Sequence, residues 1–409
     1  MQDYFWKVAN PSQWPERPKW LSFSTLKRLE TCPKQWALSS ALYRSIWDQP
    51  GYPPSLHTAA LEGTVVHAAV ETIVQKLLTH DCKSSSEPNA IFALKNVGGY
   101  TQLIGKQIES TMERYLRNPR CAPFCETVRQ RLHSRVAELR FQTQTLVSRI
   151  RLSPYQSVHS RTVGGGKPRR MELQTGSHNE VELRSPELGW RGMADLLTIS
   201  DSSVEIRDYK TGAPNDDHQF QLWLYALLWS HDVELNPTRR KVDKLVVSYV
   251  SEDVDLPVPN DTELKTFEEG LLSRTESVLS QVQIASQLAK TDGSTCACCD
   301  VRHLCSDYWT ALDTLRLEDD RERSAYSDVQ MKVDSVQGMA SWKGIVQASS
   351  ELHNGETVLL RVNRDHPCKI HERQTVRLLN ARVACEEELG EGMPTVVTIG
   401  AIGEAYVLE

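Results

Sequence analysis

The stretch VEIRDYKTG at residues 204–212 decides how the rest of the chain is read. Val204, Glu205, Ile206 and Arg207 have strand-forming, alternating character and run into Asp208, a single intervening residue, Lys210 and a Thr-Gly turn. In an extended chain, side chains two positions apart point to one face, so Asp208 and Lys210 project together from the end of a strand. An exposed ion pair of that kind contributes little to stability, typically below about 1 kcal/mol. Its interest therefore depends on what else converges there.

Thirteen positions upstream, across an SDSS turn, Asp195 sits in WRGMADLL on what reads as the preceding strand. Two adjacent antiparallel strands bring the carboxylates of Asp195 and Asp208 together. Clustered carboxylates repel, and a divalent cation or a shared proton is the usual reason to hold them close. Hard oxygen donors beside a lysine suit Mg²⁺ or Mn²⁺ acting on a phosphodiester, with Lys210 orienting or stabilising charge. Further upstream, LEGTVVHAAVETIVQKLL reads as a strongly apolar helix that carries His67 and Glu71 one turn apart on a shared face. Taken alone, His67 reads as a core histidine; beside two aspartates it becomes a candidate imidazole ligand, which favours Mn²⁺.

In this order, GTVVHAAVE, GMAD, DYK and QLWLYA resemble the RecB-like branch of the PD-(D/E)XK nuclease superfamily. The resemblance implies an α/β fold, a mixed sheet flanked by helices. It also implies His67, Asp195 and Asp208 as metal ligands, Lys210 as catalytic lysine, and Gln221 and Tyr225 as a helix motif beside the site. The implied activity is metal-dependent hydrolysis of DNA, as an exonuclease directed at single strands or DNA ends, in repair, CRISPR adaptation or antiphage defence. A catalytically quiet DNA-binding or scaffold subunit of a helicase-nuclease or defence complex is the competing expectation. The intact Asp195, Asp208 and Lys210 favour the enzyme.

Ten cysteines are present, and their distribution matters more than their number. Cys296, Cys299 and Cys305 form a CxxC followed by five residues and a further cysteine. Three clustered thiolates read as metal ligands that need a fourth donor from elsewhere, and a Cys-Pro pair occurs at Cys32. This split is similar to that of the iron-sulfur nucleases of the AddB and CRISPR-associated RecB-like exonuclease type. The resemblance implies a [4Fe-4S] cluster held by Cys32, Cys296, Cys299 and Cys305. Structural zinc is the alternative, because Cys298 and His303 lie in the same loop. Cys82, Cys121, Cys125, Cys368 and Cys385 are expected to pack as small hydrophobes.

The 409 residues carry 47 Lys plus Arg against 53 Asp plus Glu, a net charge of −6, which excludes a protein coated in positive charge for indiscriminate nucleic-acid binding. Residues 129–170 depart from that balance, with ten basic residues against Glu138 as the one acid. This stretch, including Arg161, Lys167, Arg169 and Arg170, is expected either to track a DNA backbone or to form a solvated face. No apolar run approaches the roughly 20 residues of a membrane span and no signal-peptide pattern opens the chain, so a cytoplasmic protein is expected. No GxxxxGK[ST] pattern occurs, so any helicase activity belongs to a partner.

The patterning divides the chain into an arm over 1–20 and a nuclease domain over 21–320 with a helical insertion at about 85–178. Beyond about 325, short alternating runs separated by turn residues predict a small C-terminal all-β domain, a five-stranded barrel of the OB type.

Overall fold

In the computed structural model, residues 5–153, 170–317, 326–384 and 392–408 are described. Two short helices, α1 (Phe23–Thr31) and α2 (Pro33–Ser40), meet at Cys32, as Ser22 caps the first and Pro33 opens the second. Next comes α3 (Thr58–Thr79), whose buried face runs from Leu61 through Val65, Ala69 and Ile73 to Leu77. The insertion folds as α4 (Ala90–Asn96), α5 (Gly99–Tyr115), α6 (Cys125–Ser134) and α7 (Val136–Arg149), packed on α3 through a common apolar core.

The central sheet follows: β1 (Gly176–Ser185), β2 (Trp190–Ile199), β3 (Val204–Lys210), then α8 (Asp217–His231), β4 (Lys244–Tyr249) and β5 (Asp253–Leu256), in the spatial order β1-β2-β3-β4-β5. Every pair is antiparallel except β3 and β4, so α8 is the crossover that parallel pairing requires. Leu197, Val204 and Ile206 pack with α8, α1 and α9 (Asp261–Gln281), whereas Leu196 and Tyr209 pack with α3 and the insertion. The sheet is thus covered on both faces, and the C-terminal ends of β3 and β4 open where α3 and α8 converge. After α9 come α10 (Gly293–Ala297) and α11 (Ser306–Leu317), which bracket the cysteine loop. Among the described residues no helix is long and apolar enough to cross a membrane.

The C-terminal part is a barrel-like sheet of β6 (Tyr326–Gly338), β7 (Ser341–Ser349), β8 (Thr357–Val362), β9 (Thr375–Ala384), β10 (Val396–Ile399) and β11 (Glu404–Leu408). Five strands close on themselves in the order β6-β7-β8-β10-β9-β6, with β8 and β10 parallel, and β11 adds to β9. The boundary expected near 325 falls in 318–325, outside the described residues. On either side of it the chain shares one core, in which Cys299, Val301, Tyr308 and Trp309 pack with Val329, Leu378 and Tyr406. Arg302 makes a bidentate pair with Asp328, Tyr308 donates to the same carboxylate at 2.8 Å, and Arg377 donates to the His303 carbonyl at 2.6 Å. The start of the chain is tied in as well: Phe5 and Trp6 are buried in this core, and Val8 N donates to the Val407 carbonyl at 2.9 Å.

Candidate active site

Strand register brings the acids together. β2 and β3 pair as far as Leu196 with Arg207, so the next rung sets Asp195 across from Asp208. There the ladder opens. The Tyr209 amide donates instead to Asp195 Oδ2 at 2.6 Å, which holds the carboxylate in the gap between the strands. Asp208 is only 3% exposed, and Lys210 Nζ lies 2.6 Å from its Oδ2, the same-face pair that the DxK spacing predicts. From α3, His67 Nδ1 stands 3.8 Å from Asp195 Oδ2. The close crossing of α3 over the strand end depends on Gly63, where a Cβ would lie 2.9 Å from Thr211 Oγ1.

Two buried carboxylates facing each other cannot both be comfortably charged. Burial, and then the Asp208 charge, hold the Asp195 carboxyl well above the usual carboxylate range. Burial holds the His67 imidazole below its usual value against the pull of Asp208, which keeps it in the neutral form that ligates metals. These donors suit a divalent cation: hard carboxylate oxygens, a neutral imidazole, and electrostatic strain between the acids that a cation would relieve. Among the described residues, no three His, Cys, Asp or Glu side chains are already drawn around one point at ligating distance. The Lys210 ammonium and the Tyr209 amide take up aspartate oxygens.

From α8, Gln221 Nε2 donates to the Tyr225 hydroxyl at 2.5 Å, one helical turn apart. The Tyr225 ring lies flat on β2 because position 192 is glycine: a Cβ there would come within 2.6 Å of the ring. Gly192→Ala is expected to push Tyr225 out of place, at a cost of about 1–3 kcal/mol in stability. Cleavage is expected to fall by at least tenfold, checked by thermal melting and by initial rates on the same preparation. Next to Lys210, His218 Nδ1 lies 2.6 Å from the Tyr249 hydroxyl, a pair that sequence reading did not single out. Glu180 on β1 was also missed; it stands across from Asp195 in the β1–β2 register.

A second site, rich in cysteine, is a cavity lined by Cys32, Cys296, Cys299 and Cys305, with Lys290, Arg302 and Tyr308 among its other walls. Cys32 arrives from the α1–α2 junction, where its sulfur accepts from Gln35 N at 3.4 Å and Lys290 N at 3.5 Å. Burial pushes the thiols of Cys296 and Cys299 up to about 11 and about 12, and that of Cys305 upward too. His303 turns away from the cavity: fully buried, it stacks on Tyr406 with ring centroids 4.0 Å apart. Cys298 is exposed, while Cys82, Cys121, Cys125 and Cys368 are buried; Cys385 lies outside the described residues. Asp300, next to Cys299, accepts from Ser55 at 2.8 Å and contacts His57, the residue that precedes α3.

Of the basic stretch, Arg161, Lys167 and Arg169 lie outside the described residues. Arg170 faces Asp232, Glu182 and Glu234. Half of the rest is compensated, mostly by acids outside the stretch: Arg129 pairs with Glu109 and Glu126, Arg135 with Glu62 and with Glu138 of the stretch itself, and Arg149 with Asp253.

A comparison with curated proteins finds no match. The PD-(D/E)XK nuclease superfamily pattern, however, matches residues 20–306, a span that runs from α1 through the cysteine loop and takes in the strand-end acids and their lysine. With the Asp-x-Lys pair at the open end of β3 and Asp195 across from it, the chain belongs to the PD-(D/E)XK nuclease superfamily.

Proposed function

We propose that this chain is a metal-dependent deoxyribonuclease of the RecB-like branch, acting as an exonuclease on single strands or DNA ends. The observation that carries the reading is the meeting of Asp195, Asp208 and Lys210 where β2 and β3 part. Asp195, Asp208 and His67 would hold Mg²⁺ or Mn²⁺, which when bound polarises the phosphate and lowers the pKa of a bound water. Lys210 places a positive charge beside the scissile phosphate, where negative charge builds in the transition state. The Gln221–Tyr225 pair lines the α8 side of the site and offers polar groups for orienting the strand. Arg161, Lys167 and Arg169 are assigned to backbone phosphates, with a helicase or other repair or defence protein as the partner that delivers the DNA.

The cavity of four thiols supports a [4Fe-4S] cluster. Four cysteines and no histidine line the cavity, a donor set that suits an iron-sulfur cluster, with a Cys₄ zinc site as the alternative that metal analysis separates. With His303 turned onto Tyr406, Cys32 is the fourth donor, and it joins the start of the nuclease unit to its end. The ring order of β6, β7, β8, β10 and β9, with its one parallel pair, supports an OB-type barrel.

The test is incubation of the purified chain with end-labelled single-stranded, linear duplex and closed circular DNA, with Mg²⁺, Mn²⁺ or chelator. Single-stranded or linear DNA is expected to be shortened with either metal and left intact with chelator. Cleavage of closed circles would replace the exonuclease reading with an endonuclease, and intact DNA in every arm would remove the enzyme.

A further inference from the structure

His218 and Tyr249 stand at the open strand ends, on the side away from the acid pair. Tyr249 pairs with Lys210 in the parallel β3–β4 ladder, one strand beyond the lysine, whereas Asp195, with His67 beside it, meets Asp208 from the β2 side. The histidine comes from α8. His218, Gln221 and Tyr225 fall at i, i+3 and i+7 and so form one stripe of that helix, of which Gln221 and Tyr225 are bonded to each other. His218 Nδ1 lies 2.6 Å from the Tyr249 hydroxyl, with the ring centroids 5.5 Å apart. Among the described residues Nδ1 is the one hydrogen-bond partner of that hydroxyl, so the phenol donates to it and the proton of a neutral imidazole sits on Nε2. Burial, and then the Lys210 charge, hold the imidazole below its usual value against the pull of Asp208, which favours this neutral form. Nε2 itself has no partner among the described residues, and the half-buried ring leaves it within reach of solvent. The two acids nearby are engaged elsewhere, Asp208 by Lys210 at 2.6 Å and Asp217 by Lys27 at 2.8 Å. A donor fixed by its neighbour, lacking an acceptor in the protein and set near two lysines, suits an anionic oxygen.

Resting on the nuclease reading above, we propose that His218 binds the substrate strand: Nε2–H donates to a non-bridging oxygen of the phosphate next to the scissile one, on the β4 side, and Tyr249 holds the ring in place. The acid pair and Lys210 serve the scissile phosphate. His218 stands past them by one strand spacing, about 4.8 Å, and so meets the strand further along. A contact to a flanking phosphate is the same before and in the transition state, so it contributes affinity and register and leaves the chemical step alone. It also carries no sequence information.

The experiment uses the full chain in two arms. Affinity for fluorescently labelled single-stranded oligothymidylate and oligoadenylate is measured by anisotropy with chelator present, and kcat and KM for the same strands are measured with Mn²⁺. The proteins are the parent, His218→Ala, His218→Asn and His218→Gln. His218→Ala is expected to bind both strands about tenfold more weakly, the loss of one hydrogen bond to a charged oxygen. KM should rise by a similar factor, with kcat within about twofold of the parent. Glutamine carries its amide near the position of Nε2 and should recover most of the affinity. Asparagine reaches only the position of Nδ1, keeps the Tyr249 contact and should not. Recovery by asparagine and not by glutamine would make the pair a structural link between α8 and β4 and overturn the proposal, as would parent-like affinity in His218→Ala. A loss confined to one of the two strands would mean a base contact, and a fall in kcat at unchanged KM a contact to the reacting phosphate; either overturns the assignment. If the variants lose affinity as expected but the parent cuts neither strand with Mn²⁺, the nuclease reading fails and the phosphate contact stands.

Discussion

Asp208→Ala and Lys210→Ala are each expected to lower DNA cleavage by on the order of 10³-fold or more, with the fold retained. The magnitude follows from the several kcal/mol of transition-state stabilisation that a correctly held cation and a fixed ammonium supply, at about 1.36 kcal/mol per tenfold. Stability responds far less, because the two effects of Asp208→Ala oppose each other. The variant strands Lys210, whose side chain is 22% exposed and can turn to water, and it relieves the repulsion between Asp208 and Asp195. Single-turnover rates at matched Mn²⁺, with melting curves on the same samples, measure both. Cleavage at the parent rate by Asp208→Ala would disprove the site assignment.

Cys32→Ser is expected to abolish the cluster. Protein purified without oxygen should be brown, with about four irons per chain, and the variant colourless with a stability loss of at least several kcal/mol. Serine is the informative replacement because it separates the two roles of this residue. As a helix cap for α2, accepting from Gln35 N, a serine oxygen serves as well as the sulfur or better. As a soft ligand to iron it does not. A large loss of stability therefore reports the missing metal link and not the cap. Colourless parent protein carrying one zinc per chain would replace the cluster with a structural zinc held by the same cysteines.

β3 was legible because one alternating run, one turn and the DxK spacing lie within nine consecutive residues, and local pleating alone sets Asp208 beside Lys210. Glu180 was not legible for the complementary reason. In NEVEL it reads as one more outward acid of an alternating strand, and only the pairing of β1 with β2 shows that it faces Asp195. β6 escaped notice because Asp328, Gln330, Lys332 and Asp334 interrupt its apolar positions; burial alternates along it all the same. The excess charge of 129–170 was counted among chain neighbours, whereas its partners Glu62, Glu109 and Asp253 arrive from distant elements. Separation of the cysteine loop from the C-terminal sheet was suggested by the change of pattern near 325. Their shared core is built from contacts such as Arg302 with Asp328 and Arg377 with Trp309, which join positions 26 and 68 residues apart that no local pattern connects.

That shared core orders events during synthesis. Cys296, Cys299 and Cys305 leave the ribosome before any strand of the barrel, yet the loop that carries them is fixed by Asp328, Arg377 and Tyr406. The roughly 100 residues between Cys305 and the end of β11 take on the order of 5–20 s to translate. For that interval the three thiols lack the packing that buries them, and Cys32 waits at the far end of the nuclease unit. Loading of the proposed cluster is thus expected to be a late event, after the barrel has been made, and a chain stalled before β6 is expected to present three open thiols to oxidants and to the wrong metals.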